Sequence, residues 1–415
     1  MNKINKIPTI MLIPPQRSSL PTTDGGIEML ITNMIKVNEI EKKVIFIIPS
    51  IYEKNKASNN FSHTKIYYFR GKKAIDRKIK NYKIIYYFLS CIIVFFKKLL
   101  FNRFTYPIFH KGRFVYPNLF LHQCLAICKI EKVDYVVNES CCLDFRLFKQ
   151  LINFVGEDNF YYRIHNCTPA GSLEERSIFK NSISLSNRGK DRWISLCDVQ
   201  GDNRVVYNAI DLSLYNKVVS QDEILELRKK IELPTDSTIL FFCGRISPIK
   251  GVKELIDAFE MLDKKNVILI ICGTTTLEHE KQYFESILKR IKNNKEIRYL
   301  GYFPNKELYL LYKIVDIQIV PTMCEEAAGL VAVEAMANGK PLIVTDSGGM
   351  TEYVDPNCAV ILPNNKNIVK NLFFAMKDLI ENKDKRLKMG ENGMLRSQKF
   401  SKENNYFEFV KIFEK

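Results

Sequence analysis

No stretch of this 415-residue chain contains the ~18–20 consecutive apolar residues that a membrane-spanning helix requires. The opening segment, MNKINKIPTIMLIPP, sets lysines ahead of an apolar patch. That patch is short, is broken by Pro8, Pro14 and Pro15, and lacks a small-residue cleavage site. It reads as a first β-strand rather than as a signal peptide. Several catalytic signatures are missing too. No GxGxxG follows a strand, and there is no Walker A sequence, HExxH, GxSxG or DxD triplet. Their absence argues against P-loop nucleotide hydrolysis, zinc proteolysis, elbow-type serine hydrolysis and a DxD metal site. Repeats of solenoid period and low-complexity tracts are also lacking.

Cysteine is present, but not in a useful pattern for bridging. Eleven is an odd number, the pairs at 124/128 and 141/142 lack zinc-ribbon spacing, and no partner CxxC exists. Several cysteines sit inside apolar strands, as in LFFCGR and LIICGT, where a free thiol acts as a small hydrophobe. This usage predicts a reducing compartment, the cytosol. The net charge is +16, and it is concentrated. Residues 63–113 hold thirteen Lys or Arg against Asp76 alone, a net +12. One surface region is basic, then, and the chain as a whole is not, which weakens a general nucleic-acid reading.

A chain of this length exceeds one comfortable core and predicts two domains of roughly 200 residues. Apolar strand-like runs alternate with helix-like segments nearly throughout, the pattern of parallel α/β sheets. Expected strands in the first half are Thr9–Ile13, Val44–Pro49, Lys65–Phe69, Val133–Asn138, Phe160–Ile164 and Ile183–Ser186. Helices include Ile27–Val37 and Leu143–Phe154. A second series of strands reads TILFFCG, NVILIIC, EIRYLG, VDIQIV, KPLIVT and CAVILP. Its helices include Val252–Leu262, Tyr283–Ile291, Leu330–Ala337 and Ile368–Ile380. The expectation is two doubly wound domains, 1–207 and 208–398, with a final helical segment at 399–415 that can pack back on the first. Ligands of such sheets bind beyond the carboxyl ends of the strands, so the cleft between the domains is the expected site.

Three strand-to-helix loops carry chemistry. In TTDGGIEML, Gly25–Gly26 at a helix start allows backbone N–H groups to approach an anion, although a tight turn alone would use the same pair. In CGRISPIKGVKEL, Arg245 and Lys250 suit a diphosphate, Arg as a fork and Lys as a point charge; two solvated surface cations are the plainer reading. In EEAAGLVAVEAM, Glu326 and Glu334 stand eight positions apart. If Glu326 belongs to the loop and the helix starts near Gly329, Glu326 projects into the cleft and Glu334 lies two turns down. Ionised carboxylates accept hydrogen bonds from neighbouring sugar hydroxyls. A helix-capping acid with an unrelated surface acid would look similar.

Together, GRISPIKG, EEAAGLVAVEAMANGKPLIVTDSGG and the early DGG resemble the signature of retaining glycosyltransferases of family 4, which have the GT-B fold. The resemblance covers nearly the whole chain and is strongest over residues 240–352. It implies a nucleotide-sugar donor, for which UDP is the default carrier, with no metal and no other cofactor. Arg245 and Lys250 would neutralise the diphosphate, aided by backbone N–H groups at Gly25–Gly26 and Ala328–Leu330, with Gly244 and Gly329 shaping the same site. Glu334 would hold the ribose and Glu326 would face the transferred sugar. His165, in YYRIHN, matches the family's histidine beside the reacting sugar. Ala328 departs from the Phe or Pro common at that position and would reshape the sugar pocket. DPNCAV replaces a commoner glycine-containing loop.

The basic segment 72–103 contains Ile84–Phe96, thirteen residues flanked by lysines and too short to span a bilayer. It suits a helix lying in an anionic membrane surface, or a core helix with basic ends. The family resemblance favours the first, with lipid-linked glycan acceptors of the O-antigen or capsule kind at the inner face of the cytoplasmic membrane. Competing expectations are a GT-B enzyme acting on a soluble sugar or sugar phosphate, a sugar-nucleotide epimerase, and a basic nucleic-acid-binding protein. The last leaves the acidic pair and the GRxxxxKG loop unexplained, so nucleic acid is not an expected partner.

Overall fold

The computed structural model describes residues 6–15, 20–22, 25–50, 61–68, 115–139, 145–165, 173–197, 201–263, 265–275 and 277–414. The basic segment 72–103 lies outside them. Two parallel sheets are built from the apolar runs. The first contains β1 (Thr9–Ile13), β2 (Ile45–Ser50), β3 (Thr64–Tyr68), β4 (Tyr135–Asn138), β5 (Phe160–Ile164), β6 (Asn181–Ser184) and β7 (Asn203–Val205). Its order is β3-β2-β1-β4-β5-β6-β7. The second contains β8 (Thr238–Cys243), β9 (Val267–Cys272), β10 (Ile297–Gly301), β11 (Ile317–Val320), β12 (Leu342–Thr345) and β13 (Ala359–Leu362), ordered β10-β9-β8-β11-β12-β13.

Continuous apolar runs form these strands because each sheet is covered on both faces. In β8, Ile239 and Phe241 join one core layer, while Leu240 and Phe242 join the opposite one. In β1, Met11 and Ile13 face one layer, and Ile10 and Leu12 the other. The seven described cysteines are all free, and five are buried. Two differences from the sequence expectation share one cause. β6 runs two residues earlier than Ile183–Ser186, and β7 was not expected at all, because both strands are built from polar residues. Asn181 donates from Nδ2 to the Glu157 carbonyl at 3.0 Å, so its side chain is satisfied in place. Ser186 instead accepts from the Gly189 N–H at 3.1 Å, at the start of the helix Asn187–Cys197.

In each sheet the strand order reverses at one place, between β1 and β4 and between β8 and β11. A doubly wound sheet opens a crevice there, beyond the carboxyl ends of its strands. The glycine pair follows β1, Arg245 and Lys250 follow β8, and Glu326 follows β11. All three loops therefore emerge at a switch point.

The chain passes between the sheets twice. Val206 packs in the first-domain core and Ile210 in the second; Phe400 packs in the second and Tyr406 in the first. The two crossings touch, with Ile210 N–H donating to the Phe400 carbonyl at 3.0 Å and Lys402 N–H to the Ile210 carbonyl at 3.1 Å. The final helix, Lys402–Val410, then lies on the helix Gly26–Glu41. Tyr406, Phe409, Val410 and Phe413 bury against Ile10, Leu12 and Phe46, and the Tyr406 hydroxyl donates to Asn38 Oδ1 at 2.6 Å. Phe409→Ala should destabilise the first domain by about 3–5 kcal/mol through lost burial and a cavity. Tyr406→Phe should cost about 1 kcal/mol through one hydrogen bond. Urea unfolding followed by the fluorescence of the single tryptophan, Trp193, buried in that domain, checks both.

Candidate active site

A cavity of about 350 Å³ opens between the two sheets, within the size range of small-ligand sites. Gly26 and His165 line it from the first domain, Asn208 from the crossing between them, and Gly244, Arg245, Lys250, Thr322, Glu326, Ala328, Gly329 and Leu330 from the second. Of the residues singled out in the sequence, Gly25 and Glu334 are not part of this lining. Gly25 precedes the helix Gly26–Glu41 with φ 86°, and so sets the turn that brings Gly26 to the cavity.

The loops after β8 and β11 are locked together. Lys250 ends a short turn, Pro248–Lys250, closed by Gly251 at φ 68°. A Cβ on Gly251 would overlap the Pro321 carbonyl oxygen, so only glycine allows the two loops this close. Met323 N–H donates to the Ile249 carbonyl at 2.8 Å across the same seam. This places Lys250 Nζ in an ion pair with Glu326 Oε1, which also accepts from the Thr322 hydroxyl at 3.1 Å. Arg245 is held more loosely, its Nε 3.8 Å from Glu280 Oε2. Glu280 is in turn fixed by the Thr275 hydroxyl at 2.7 Å. The cleft thus presents two cations and one carboxylate, with one cation and the carboxylate neutralising each other.

Glu334 sits in the helix Leu330–Ala337, outside the residues that line the cavity. The Tyr312 hydroxyl donates to its Oε2 at 3.4 Å. Burial pushes its carboxyl up to about 7, against the lowering effect of the Tyr215 and Tyr312 hydroxyls. The His165 side chain is 5% exposed, and its Nε2 lies 2.7 Å from Oε2 of Glu139, whose side chain is fully buried. Glu139 Oε1 also receives Arg163 Nη1 at 3.4 Å. Burial opposes ionisation of Glu139, yet Arg163 and His165 together hold its carboxyl below the usual range.

Glu139, Arg163 and Asn208 are absent from the sequence reading. Glu139 follows the last residue of β4, a position at the carboxyl edge that could have marked it. Asn208, in YNAID, is buried at the cavity wall, and its Oδ1 has no partner among the described residues. Nothing in its local sequence separates it from an ordinary loop asparagine.

Residues 223–396 match the family "Glycosyl transferases group 1". Among curated proteins, the chain is 28% identical over 191 residues to an uncharacterised glycosyltransferase of Methanocaldococcus jannaschii, covering 45% of this chain and 48% of that one. It is 35% identical over 134 residues to the lipopolysaccharide 1,2-N-acetylglucosaminetransferase of Salmonella typhimurium, with coverage of 31% and 35%. A D-inositol 3-phosphate glycosyltransferase of Corynebacterium kroppenstedtii is 27% identical over 239 residues, with coverage of 55% and 52%. These matches span about half the length of those relatives, or less. Among solved structures, a glycosyltransferase from Rickettsia africae superposes with a TM-score of 0.74 at 16% identity, covering 99% of this chain and 98% of that one. An Anabaena protein solved with UDP and glucose gives 0.67 at 16% identity, with coverage of 98% and 99%.

The raised value at Glu334 has a consequence for stability. Its folded-state value, about 7, lies above the ordinary 4.5. The proton is therefore bound more tightly in the folded state. The resulting stability is complete below about pH 4.5 and is lost as pH rises through about 7. Glu334→Gln stays neutral and should lack this loss. It should be the more stable protein above about pH 7 and should converge with the wild type below about pH 4.5. Melting temperatures of both proteins across that range test this. With two doubly wound parallel sheets and residues 223–396 matching the group 1 family, the chain has the fold of the GT-B glycosyltransferases.

Proposed function

We propose that this protein is a retaining, metal-independent glycosyltransferase that moves a sugar from a nucleotide-diphosphate sugar, UDP-linked by default, to a lipid-linked oligosaccharide. The carrying observation is the convergence of Arg245, Lys250, Glu326 and His165 on one cavity between the sheets. Arg245 and Lys250 meet the diphosphate and stabilise the charge that builds on it as the sugar leaves. The diphosphate competes with Glu326 for Lys250, which frees the Glu326 carboxylate to accept hydroxyls of the transferred sugar. Backbone N–H groups at Gly26 and at Ala328–Leu330 add donors at two helix starts. The leaving diphosphate takes the acceptor's proton on the same face, so catalysis rests on positioning and electrostatics.

Glu334 is assigned to the ribose, and its environment adds a condition. Only the ionised carboxylate accepts two hydroxyl hydrogen bonds, so donor affinity falls as pH drops below about 7. Support for a donor of this class comes from the fold shared with the Anabaena protein solved with UDP and glucose. The lipopolysaccharide N-acetylglucosaminetransferase relative supports a surface-glycan acceptor. No helix among the described residues is long and apolar enough to cross a membrane. Attachment to the cytoplasmic leaflet is assigned to the basic segment 72–103 on its lysine-flanked apolar run Ile84–Phe96. The D-inositol 3-phosphate relatives favour a second reading, transfer to a small soluble sugar phosphate.

A panel of nucleotides and nucleotide sugars tests the donor. The true donor at ~100-fold over its Kd should raise the melting temperature by about 5–10 °C. Transfer should continue in EDTA; loss of turnover restored by Mn²⁺ would refute the metal-independent assignment. Lys250→Ala and Glu326→Ala should each cut kcat by about 10²-fold or more with the fold intact. Full-length protein should sediment with anionic liposomes at low salt and be released as salt rises; no binding at low salt favours the soluble-acceptor reading.

A further inference from the structure

We infer that Glu139 is a positioning residue that acts through His165, fixing which ring nitrogen of that histidine carries the proton and where the ring points. The inference rests on the function proposed above for the cleft, and it concerns a residue that makes no contact with the cavity itself.

The geometry begins at β4. Its last residue is Asn138, and the next residue, Glu139, is anchored by its own N–H, which donates to the Ile13 carbonyl at the end of β1 at 3.0 Å. Its side chain is fully buried between the ends of β4 and β5. A buried carboxylate is expensive unless paired and hydrogen-bonded. Glu139 has two partners, and they differ in kind. Arg163 Nη1 supplies the fixed charge at 3.4 Å. Arg163 is itself immobilised, with Nη1 against Met34 Sδ at 3.5 Å and its guanidinium 5.4 Å from the centre of the Phe409 ring. The ion pair is thus built into the core by two helices and needs nothing from the cleft.

The second partner is His165 Nε2 at 2.7 Å from Glu139 Oε2, a distance for a charge-assisted hydrogen bond. A carboxylate held ionised can only accept, so Nε2 must carry the proton. In the neutral ring this leaves Nδ1 as a lone-pair acceptor, since the bond at one nitrogen sets the state of the other. His165 is in the cavity lining although its side chain is almost fully enclosed. With Nε2 committed to Glu139, Nδ1 is the ring atom left to accept a hydrogen bond, and it is never the Nδ1–H donor of the other neutral tautomer. A buried Glu–Arg pair alone would explain core packing. It would not require a short bond from the same carboxylate to the histidine of the cleft.

The test combines kinetics with a readout that needs no substrate. In 15N-histidine-labelled wild-type protein at about pH 8, above the ordinary histidine range, NMR should show His165 protonated at Nε2. In Glu139→Gln the amide can donate to Nε2 instead, and the Nδ1–H tautomer should gain population. A wild-type proton on Nδ1 overturns the proposal. With the donor identified, Glu139→Gln should lower kcat by ~10–100-fold while the donor KM stays within about twofold. Glu139→Gln added to His165→Ala should then cause no further loss, because a residue acting only through His165 has nothing left to position. Multiplying losses in the double variant would show an independent role for Glu139 and overturn the inference. Should Glu139→Gln fail to fold, the wild-type tautomer still decides. Should no nucleotide sugar be turned over or bound, the function proposed for the cleft fails, while the tautomer continues to judge Glu139.

Discussion

The Glu352 carboxylate sets the relation between the two sheets, and the cleft depends on it. Glu352 belongs to the short helix Met350–Tyr353 of the second domain, yet the hydrogen bonds to its carboxylate among the described residues come from Asn187, Arg188 and Tyr207. The N–H groups of Asn187 and Arg188 each donate to it at 2.8 Å, and the Tyr207 hydroxyl at 2.9 Å. These are the free donors at the start of the helix Asn187–Cys197, so a carboxylate of one domain caps a helix of the other. Burial disfavours its charge, but these bonds hold it below the usual carboxylate range. The neighbouring Tyr353 hydroxyl donates to the Leu185 carbonyl at 2.8 Å, beside the cavity. Gly349 comes so close to Ser186 that a Cβ there would overlap its hydroxyl.

The same loop reaches the chemistry directly. Gly349 N–H donates to the Glu326 carbonyl at 2.7 Å, and Arg188 Nη1 donates to the Gly348 carbonyl at 3.1 Å. Arg188 also pairs with Asp346 at 2.6 Å. The backbone that presents Glu326 is therefore braced from the opposite domain. Glu326, Lys250 and Gly251 form one continuous seam with it. Charge in the cleft is arranged on this frame with little surplus: Lys250 already has a partner, and Arg245 is the more loosely held cation. A polyanionic ligand exchanges existing pairs instead of meeting bare charges, which limits the desolvation it must overcome.

Much of this was legible in the sequence, for definable reasons. The strands of the second sheet are unbroken apolar runs such as TILFFC and VILIIC, and a fully covered parallel sheet demands that composition. The loops bearing Arg245, Lys250 and Glu326 could be placed because each directly follows such a run. β6 and β7 were misplaced or missed because NSIS and NRV are mostly polar, and the bonds that fix Asn181 to the Glu157 carbonyl and Ser182 to Asn203 are ones no local pattern encodes. Glu352 was invisible for the same reason: its capping partner Asn187 lies 165 positions away. Glu139 needed Arg163 and His165 beside it before its burial made sense. The bond from the Tyr312 hydroxyl to Glu334 joins residues 22 positions apart, so helical spacing alone does not reveal it.

The paired crossings near Ile210 and Lys402 also have a mechanical meaning. A single linker would let one domain swing and twist about any axis. Two adjacent strands, hydrogen-bonded to one another and reinforced by Lys402 against Asp211 at 2.8 Å, resist torsion as a strap hinge does. Twisting one domain against the other would shear those bonds, so the paired crossings add to the mutual alignment of the two sheets whose loops bear the cleft residues.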